Sequence, residues 1–199
     1  MKTRFRMTPV NLIAAFVFLL FLLPAVTVTG QTKYGDKTAA FFKILTSGTY
    51  HIKIRLEIMP GKTMDMETFC KDGKSSGPLI GTYNRKITRD NKIFYIDDPG
   101  KRMIISSSEG ESGGGGFAPA PGVKFTGSGT AVFAGKNLPY DEYTAPDGTK
   151  VWYFVDGSKL AGIRGFNEDG KTNDIVVLVL DQNIPANVFD IPTGYKVES

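Results

Sequence analysis

Few residues in this chain have the chemistry for catalysis. His51 is the sole histidine and Cys70 the sole cysteine. A zinc site needs several nitrogen or sulfur ligands, and no His pair or Cys cluster provides them. A Ser-His-Asp triad would require His51 beside a serine and a carboxylate, and no nucleophile-elbow pattern supports it. His51 lies between cationic neighbours on the polar side of a strand and reads as a solvated side chain. One cysteine excludes an internal disulfide, so Cys70 reads as a small buried hydrophobe. Carboxylates pair at Asp97-Asp98 and Asp141-Glu142. Such pairs serve glycosidases or hold calcium, but Asp97-Asp98-Pro99-Gly100 is ordinary turn chemistry. Gly113 to Gly116 lacks the Lys-Ser/Thr of a phosphate-binding loop, and Gly127-Ser128-Gly129 lacks the third glycine of a dinucleotide fingerprint. These absences argue against an enzyme, a metal and a cofactor.

The remaining chemistry is apolar, and one strand organises it. Tyr50, Ile52, Ile54, Leu56 and Ile58 alternate with His51, Lys53, Arg55 and Glu57. This period of two predicts a half-buried β-strand over Thr49–Met59, with one dry face and one wet face. Pro60-Gly61 ends it, and Met64 to Cys70 is the expected partner. A three-residue loop, Pro60 to Lys62, would set Met64 opposite Ile58, Met66 opposite Leu56 and Glu67 opposite Arg55. Before the strand, a short helix capped by Asp36 carries Ala40, Phe41, Ile44 and Leu45, and Ser47-Gly48 stops it. Its apolar stripe belongs on the dry face. Phe41, Ile44, Tyr50, Ile52, Ile54, Leu56, Ile58, Met64, Met66 and Trp152 are therefore the candidate lining of a hydrophobic site, with thioethers suited to irregular ligands.

The other elements follow from turn signals. Lys71 to Gly77 reads as a polar loop and Leu79 to Thr88 as a strand. Lys92 to Asp97 and Arg102 to Ser106 form a hairpin. Residues 107–122 are rich in Gly, Ser and Pro and read as a mobile loop with Phe117 as its one anchor. A meander follows, with strands near 129–133, 140–145, 150–155, 159–167 and 174–181, punctuated by Asp147-Gly148, Asp156-Gly157 and Asp169-Gly170. Ile175 to Leu180 is apolar throughout and reads as the most buried strand. The fold class expected is mainly β with a short N-terminal helix. About nine strands form a curved antiparallel sheet or half-open barrel, and the helix lies on its concave face.

Lys2, Arg4 and Arg6 precede an apolar run from Val10 to Leu23, then Pro24 and small residues to Gly30. This is the layout of a signal peptide cleaved after Gly30, and an uncleaved anchor is the alternative. Residues 31–199 then form a single domain placed outside the cytoplasm, in the periplasm, the envelope or the medium. The whole chain carries +4. Without those three basic residues, 21 Lys and Arg stand against 20 acids. A nearly neutral domain offers no electrostatic case for nucleic acid.

The second half carries a resemblance. Tyr140-Asp-Glu-Tyr143 is followed by an Asp-Gly turn and the aromatic strand Val151-Trp-Tyr-Phe-Val155. Then come Lys159-Leu160, another Asp-Gly turn, an apolar strand, and the closing phrase Val188-Phe-Asp-Ile-Pro-Thr-Gly-Tyr195. Over roughly residues 130–195 this resembles bacterial envelope proteins of the lipoprotein-carrier (LolA/LolB-like) superfamily. The resemblance implies a half-open barrel with its concave apolar face plugged by helix, no catalytic residues, and a role in binding acyl chains or sensing envelope state. The partners expected are a lipid or acyl chain, or an envelope protein, with only transient membrane contact if the leader is removed. The alternative reading is a structural or sensory module with a filled core.

Overall fold

The computed structural model describes residues 34–79, 81–108, 117, 119, 122–167 and 170–198. The leader and most of the Gly/Ser-rich loop, with the expectations placed on them, lie outside the described residues. Among the described residues, one helix, α1 (Ala39–Thr46), precedes twelve strands: β1 (Tyr50–Met59), β2 (Lys62–Lys71), β3 (Lys74–Pro78), β4 (Arg85–Arg89), β5 (Lys92–Asp97), β6 (Arg102–Ser107), β7 (Lys124–Phe133), β8 (Lys136–Thr144), β9 (Lys150–Asp156), β10 (Lys159–Phe166), β11 (Thr172–Asp181) and β12 (Lys196–Glu198). They form one curved open sheet, 59% of the described residues being strand, in the order β12-β6-β5-β4-β3-β2-β1-β11-β10-β9-β8-β7. All pairings are antiparallel except the short parallel contact of β12 with β6. Two meanders, β1–β6 and β7–β11, thus meet at a seam between β1 and β11.

The period-two reading of β1 holds. Tyr50, Ile52, Ile54 and Leu56 are buried, while Arg55 and Glu57 face water. The hairpin register differs from expectation by two residues. Leu56 faces Met64 and Ile54 faces Met66, and Arg55 pairs with Asp65 rather than Glu67. The loop is the two-residue Pro60-Gly61, with Met59 opposite Lys62, and a bulge at Ile58 absorbs the odd residue. A bulge puts two residues against one and so restores the parity that a two-residue turn alone would break.

Two segments expected as loop or single strand divide otherwise. Asp72 (φ 51) and Gly73 (φ 75) make a tight turn, so Lys74–Pro78 is β3 rather than loop. The expected strand 79–88 is interrupted, and only 85–89 enters the sheet. Gly77 belongs in β3 because a Cβ there would lie 2.9 Å from the Thr68 hydroxyl on the neighbouring strand. β11 is not the most buried strand: Ile175 and Val177 are covered, but Leu178 is 39% exposed at a bulge. Its alternate residues face a side of the sheet that no helix covers.

Apolar clusters form on both faces. On the concave face, Phe42 and Leu45 of α1 and Phe117 form one buried cluster with Tyr50, Ile52, Ile54, Leu56, Met66, Cys70, Tyr143, Tyr153, Leu160, Ile163, Ile175 and Val177. On the opposite face the chain after β11 folds back, setting Ile191 and Tyr195 on Ile87, Phe94, Ile96 and Met103. A third cluster, around Phe133, Leu138 and Phe154, fills that same opposite face at the other end of the sheet.

Candidate functional site

The concave apolar face is the site the sequence pointed to, and α1 seats on it by a different stripe. Phe42 (0% exposed) and Leu45 (2%) are the buried helix residues, whereas Phe41 and Ile44 are half-buried at its flank. The Phe42 ring meets Tyr143 edge-on at 5.3 Å and Tyr153 at 4.8 Å. Full burial of a side chain of this size contributes roughly 1.5–3 kcal/mol. Ile58 and Met64 are half-buried at the margin of the same cluster. Phe117, from the connection between β6 and β7, is buried there too, and its carbonyl accepts the Tyr153 hydroxyl at 3.3 Å.

Nine of the ten candidate residues therefore converge on one face. Trp152 does not. It faces Arg164 and Glu142 across the strands, on the side opposite Tyr153. There it stacks on Tyr140 at 4.0 Å and donates Nε1–H to Glu142 at 2.8 Å. The whole run Val151–Val155 is apolar, so the sequence did not tell which alternate set faced α1.

The helix is anchored by a polar contact the sequence did not suggest. Asp36 does not cap it. The first turn begins at Thr38, whose N–H donates to Asp141 Oδ2 at 3.1 Å, as does Lys37 N–H. Thr38 Oγ1 donates to the same oxygen at 3.0 Å, and Ser128 Oγ donates to Oδ1 at 2.6 Å. Asp141 is fully buried. A carboxylate at a helix N-terminus accepts orphan amides and meets the positive end of the dipole. Tyr143 adds a second tie, accepting Gly35 N–H at 2.8 Å. Gly35 is required, because a Cβ there would run into the Asp141 carboxylate.

The other candidate chemistry resolves into ion pairs. Asp141 and Glu142 point to opposite faces and cannot act as a catalytic pair. Burial pushes the Glu142 carboxyl up, but hydrogen bonds from Trp152, Lys150 and Thr126 outweigh it and hold the group below its usual range. Asp97 accepts Gly100 N–H and the Arg102 guanidinium, and both lower its pKa. Asp98 is lowered by Arg85, with Tyr195 assisting. His51 is not solvated: its side chain is 13% exposed. Nε2 lies 2.8 Å from Glu67, Nδ1 lies 3.3 Å from Asp181, and the ring stacks on Phe69 at 4.5 Å. Among the described residues no group of His, Cys, Asp and Glu is placed to hold a metal, and no helix is long and apolar enough to cross a membrane.

No family model and no curated protein matches the chain. Solved structures do. An uncharacterised conserved protein from Thermus thermophilus superposes with a TM-score of 0.52 at 8% identity, over 82% of this chain and 97% of that one. Pseudomonas aeruginosa MucB, in its complex with MucA, superposes at 0.46 and 12% identity, over 83% of this chain and 64% of that one. A LolA superfamily protein from Nitrosomonas europaea superposes at 0.36 and 6% identity, over 79% and 99%. What the chain shares with the Thermus thermophilus protein is its fold, a large, open, curved sheet. At these identities the likeness is one of fold and names no ligand.

Proposed function

We propose that this chain is an exported, non-enzymatic binding domain of the cell envelope that takes an acyl chain or similar apolar group at its concave face. The observation that carries this reading is the continuous apolar row Tyr50, Ile52, Ile54 and Leu56, extended across the seam by Val177 and Ile175 and roofed by one eight-residue helix. A roof this short gives way without unpairing any strand.

A second reading is favoured by a specific observation. The residues of the row are 1–4% exposed beneath α1 and Phe117, which is the packing of a filled core. On this reading the domain is a structural or sensory module that meets an envelope protein through its outer surface.

Ile54 separates the two. Binding of a fluorescent fatty acid is measured beside thermal unfolding of Ile54→Ala and Ile54→Glu. A binding domain takes up the probe, and Ile54→Glu abolishes uptake while the protein still folds with its acid hydrated. In a filled core Ile54→Ala costs about 2–5 kcal/mol and Ile54→Glu prevents folding. Absence of fatty-acid binding by the unmodified protein, together with a large loss from Ile54→Ala, rejects lipid binding and leaves the module.

A further inference from the structure

On the face of the sheet away from α1, the β2–β3 turn and the chain after β11 enclose a cleft of about 200 Å³, lined by Lys71, Asp72, Lys74, Ile184, Pro185, Ala186 and Phe189. Its apolar residues are Ile184, Pro185, Ala186 and Phe189, of which Phe189 is buried, with its carbonyl held by Arg89 Nη1 at 3.1 Å. Its rim is cationic. Lys71 and Lys74 are direct cross-strand partners flanking the turn. Like charges set opposite one another in a sheet repel.

No hydrogen-bonded ion pair among the described residues offsets that repulsion. Neither ammonium has a hydrogen-bonded carboxylate among the described residues. Asp72 lines the cleft from the turn without pairing with either lysine, and Asp90, which feels Lys74 through space, is bonded to Arg89 at 2.8 Å. Every arginine of β1, β4, β6 and β10, by contrast, has its carboxylate: Arg55 with Asp65, Arg85 with Asp98, Arg89 with Asp90, Arg102 with Asp97 and Arg164 with Asp174. A locally unfavourable choice of residues beside a concave surface marks a site shaped for something other than stability.

We propose that this cleft binds a small amphiphilic anion, with its carboxylate or phosphate head between Lys71 and Lys74 and its apolar body against Ile184, Pro185 and Phe189. The volume lies below the roughly 300–1,000 Å³ of pockets that enclose drug-sized ligands, so the occupant is a short chain or the head end of a longer one. An anion in this position neutralises the opposed ammonium groups and gains charge-assisted hydrogen bonds from both. The site is independent of the concave face.

The test is a titration of isotopically labelled protein with octanoate, octyl phosphate and inorganic phosphate, followed by NMR at Lys71, Lys74, Ala186 and Phe189. The two amphiphiles are expected to shift these signals saturably below about 10 mM. Lys71→Gln/Lys74→Gln should weaken binding about tenfold or more. It should leave the unfolding temperature equal or raised, because an opposed like-charge pair has gone. Shifts that saturate alike with inorganic phosphate would overturn the apolar half of the site. Undiminished binding by the double variant would overturn the lysine clamp. Absence of local shifts, or octanoate shifts confined to Ile52 and Ile54, would reject the cleft altogether, the latter while supporting the concave-face reading.

Discussion

Asp141 caps a helix whose N-cap residue, Thr38, stands 103 residues before it: its Oδ2 lies 3.1 Å from the Thr38 amide nitrogen. The contact joins β8 to the first turn of α1 and determines where the roof of the concave face sits. Asp141→Ala leaves the Lys37 amide and the Ser128 hydroxyl without their acceptor, and the Thr38 amide with the Gly35 carbonyl alone, at 3.2 Å. A buried polar group left unpaired costs about 1–3 kcal/mol, and more for partners of a charge. Urea unfolding should record a loss of at least that size. A change within about 0.5 kcal/mol, the range of ordinary surface substitutions, would mean the cap does not hold the helix.

Gly162 admits an aromatic ring. A Cβ there would overlap Phe133 Cζ and lie 2.6 Å from the Ile175 carbonyl. The carbonyl belongs to the sheet and cannot retreat, so Gly162→Ala should destabilise by about 1–3 kcal/mol. It should also disturb the Phe133–Phe154 stack, whose centroids are 4.5 Å apart, and near-ultraviolet circular dichroism reads this directly. An alanine variant with unchanged stability and spectrum contradicts the packing.

Asp98 should contribute to acid sensitivity. Its carboxyl is held below the ordinary value chiefly by Arg85. A group whose folded pKa is depressed adds stability that is full above its unfolded value, about 3.9. That stability is lost as the pH falls through the lower folded value. Asp98→Asn should therefore reduce the unfolding temperature near neutrality and flatten its decline below about pH 4. A variant whose unfolding temperature declines with pH as steeply as that of the unmodified protein would remove Asp98 from the account.

Cys70 should be inert in the folded protein. It is 2% exposed, and burial pushes its thiol up to about 11 despite a hydrogen bond involving Tyr50. The thiolate is the reactive form. Labelling by iodoacetamide near pH 8 should be slow in native buffer and rapid in denaturant, and fast native labelling would contradict this burial.

Most of the sheet could be read in advance because its signals are local. The alternation of Tyr50 to Leu56, and the turns at Asp147-Gly148 and Asp156-Gly157 with positive φ at both glycines, depend only on neighbours in the chain. The missed features depend on residues far apart. The Ile58 bulge is set by the need to keep Leu56 and Met64 on one face, and the cap is supplied by Asp141 from a strand about a hundred residues away. Ser75 and Ser76 are too polar to announce a strand, yet they pair with Cys70 and Phe69. For the candidate site, alternation identified the row but not the partner. It said nothing of whether Trp152 or Tyr153 turned toward the helix, because both are aromatic.

The seam has a cost in time. β1 pairs with β2 within a few residues, but its other edge waits for β11, as the 130-residue separation of His51 and Asp181 shows. At about 5–20 residues per second of synthesis, the edge holding Ile52, Ile54 and Leu56 stays without its partner for roughly 6–25 s. Contacts this distant in sequence form slowly even in a complete chain. An open, apolar strand edge is a template for pairing with other chains. Of the two edges of β1, the one that meets β11 is therefore the one longer open to mispairing during synthesis.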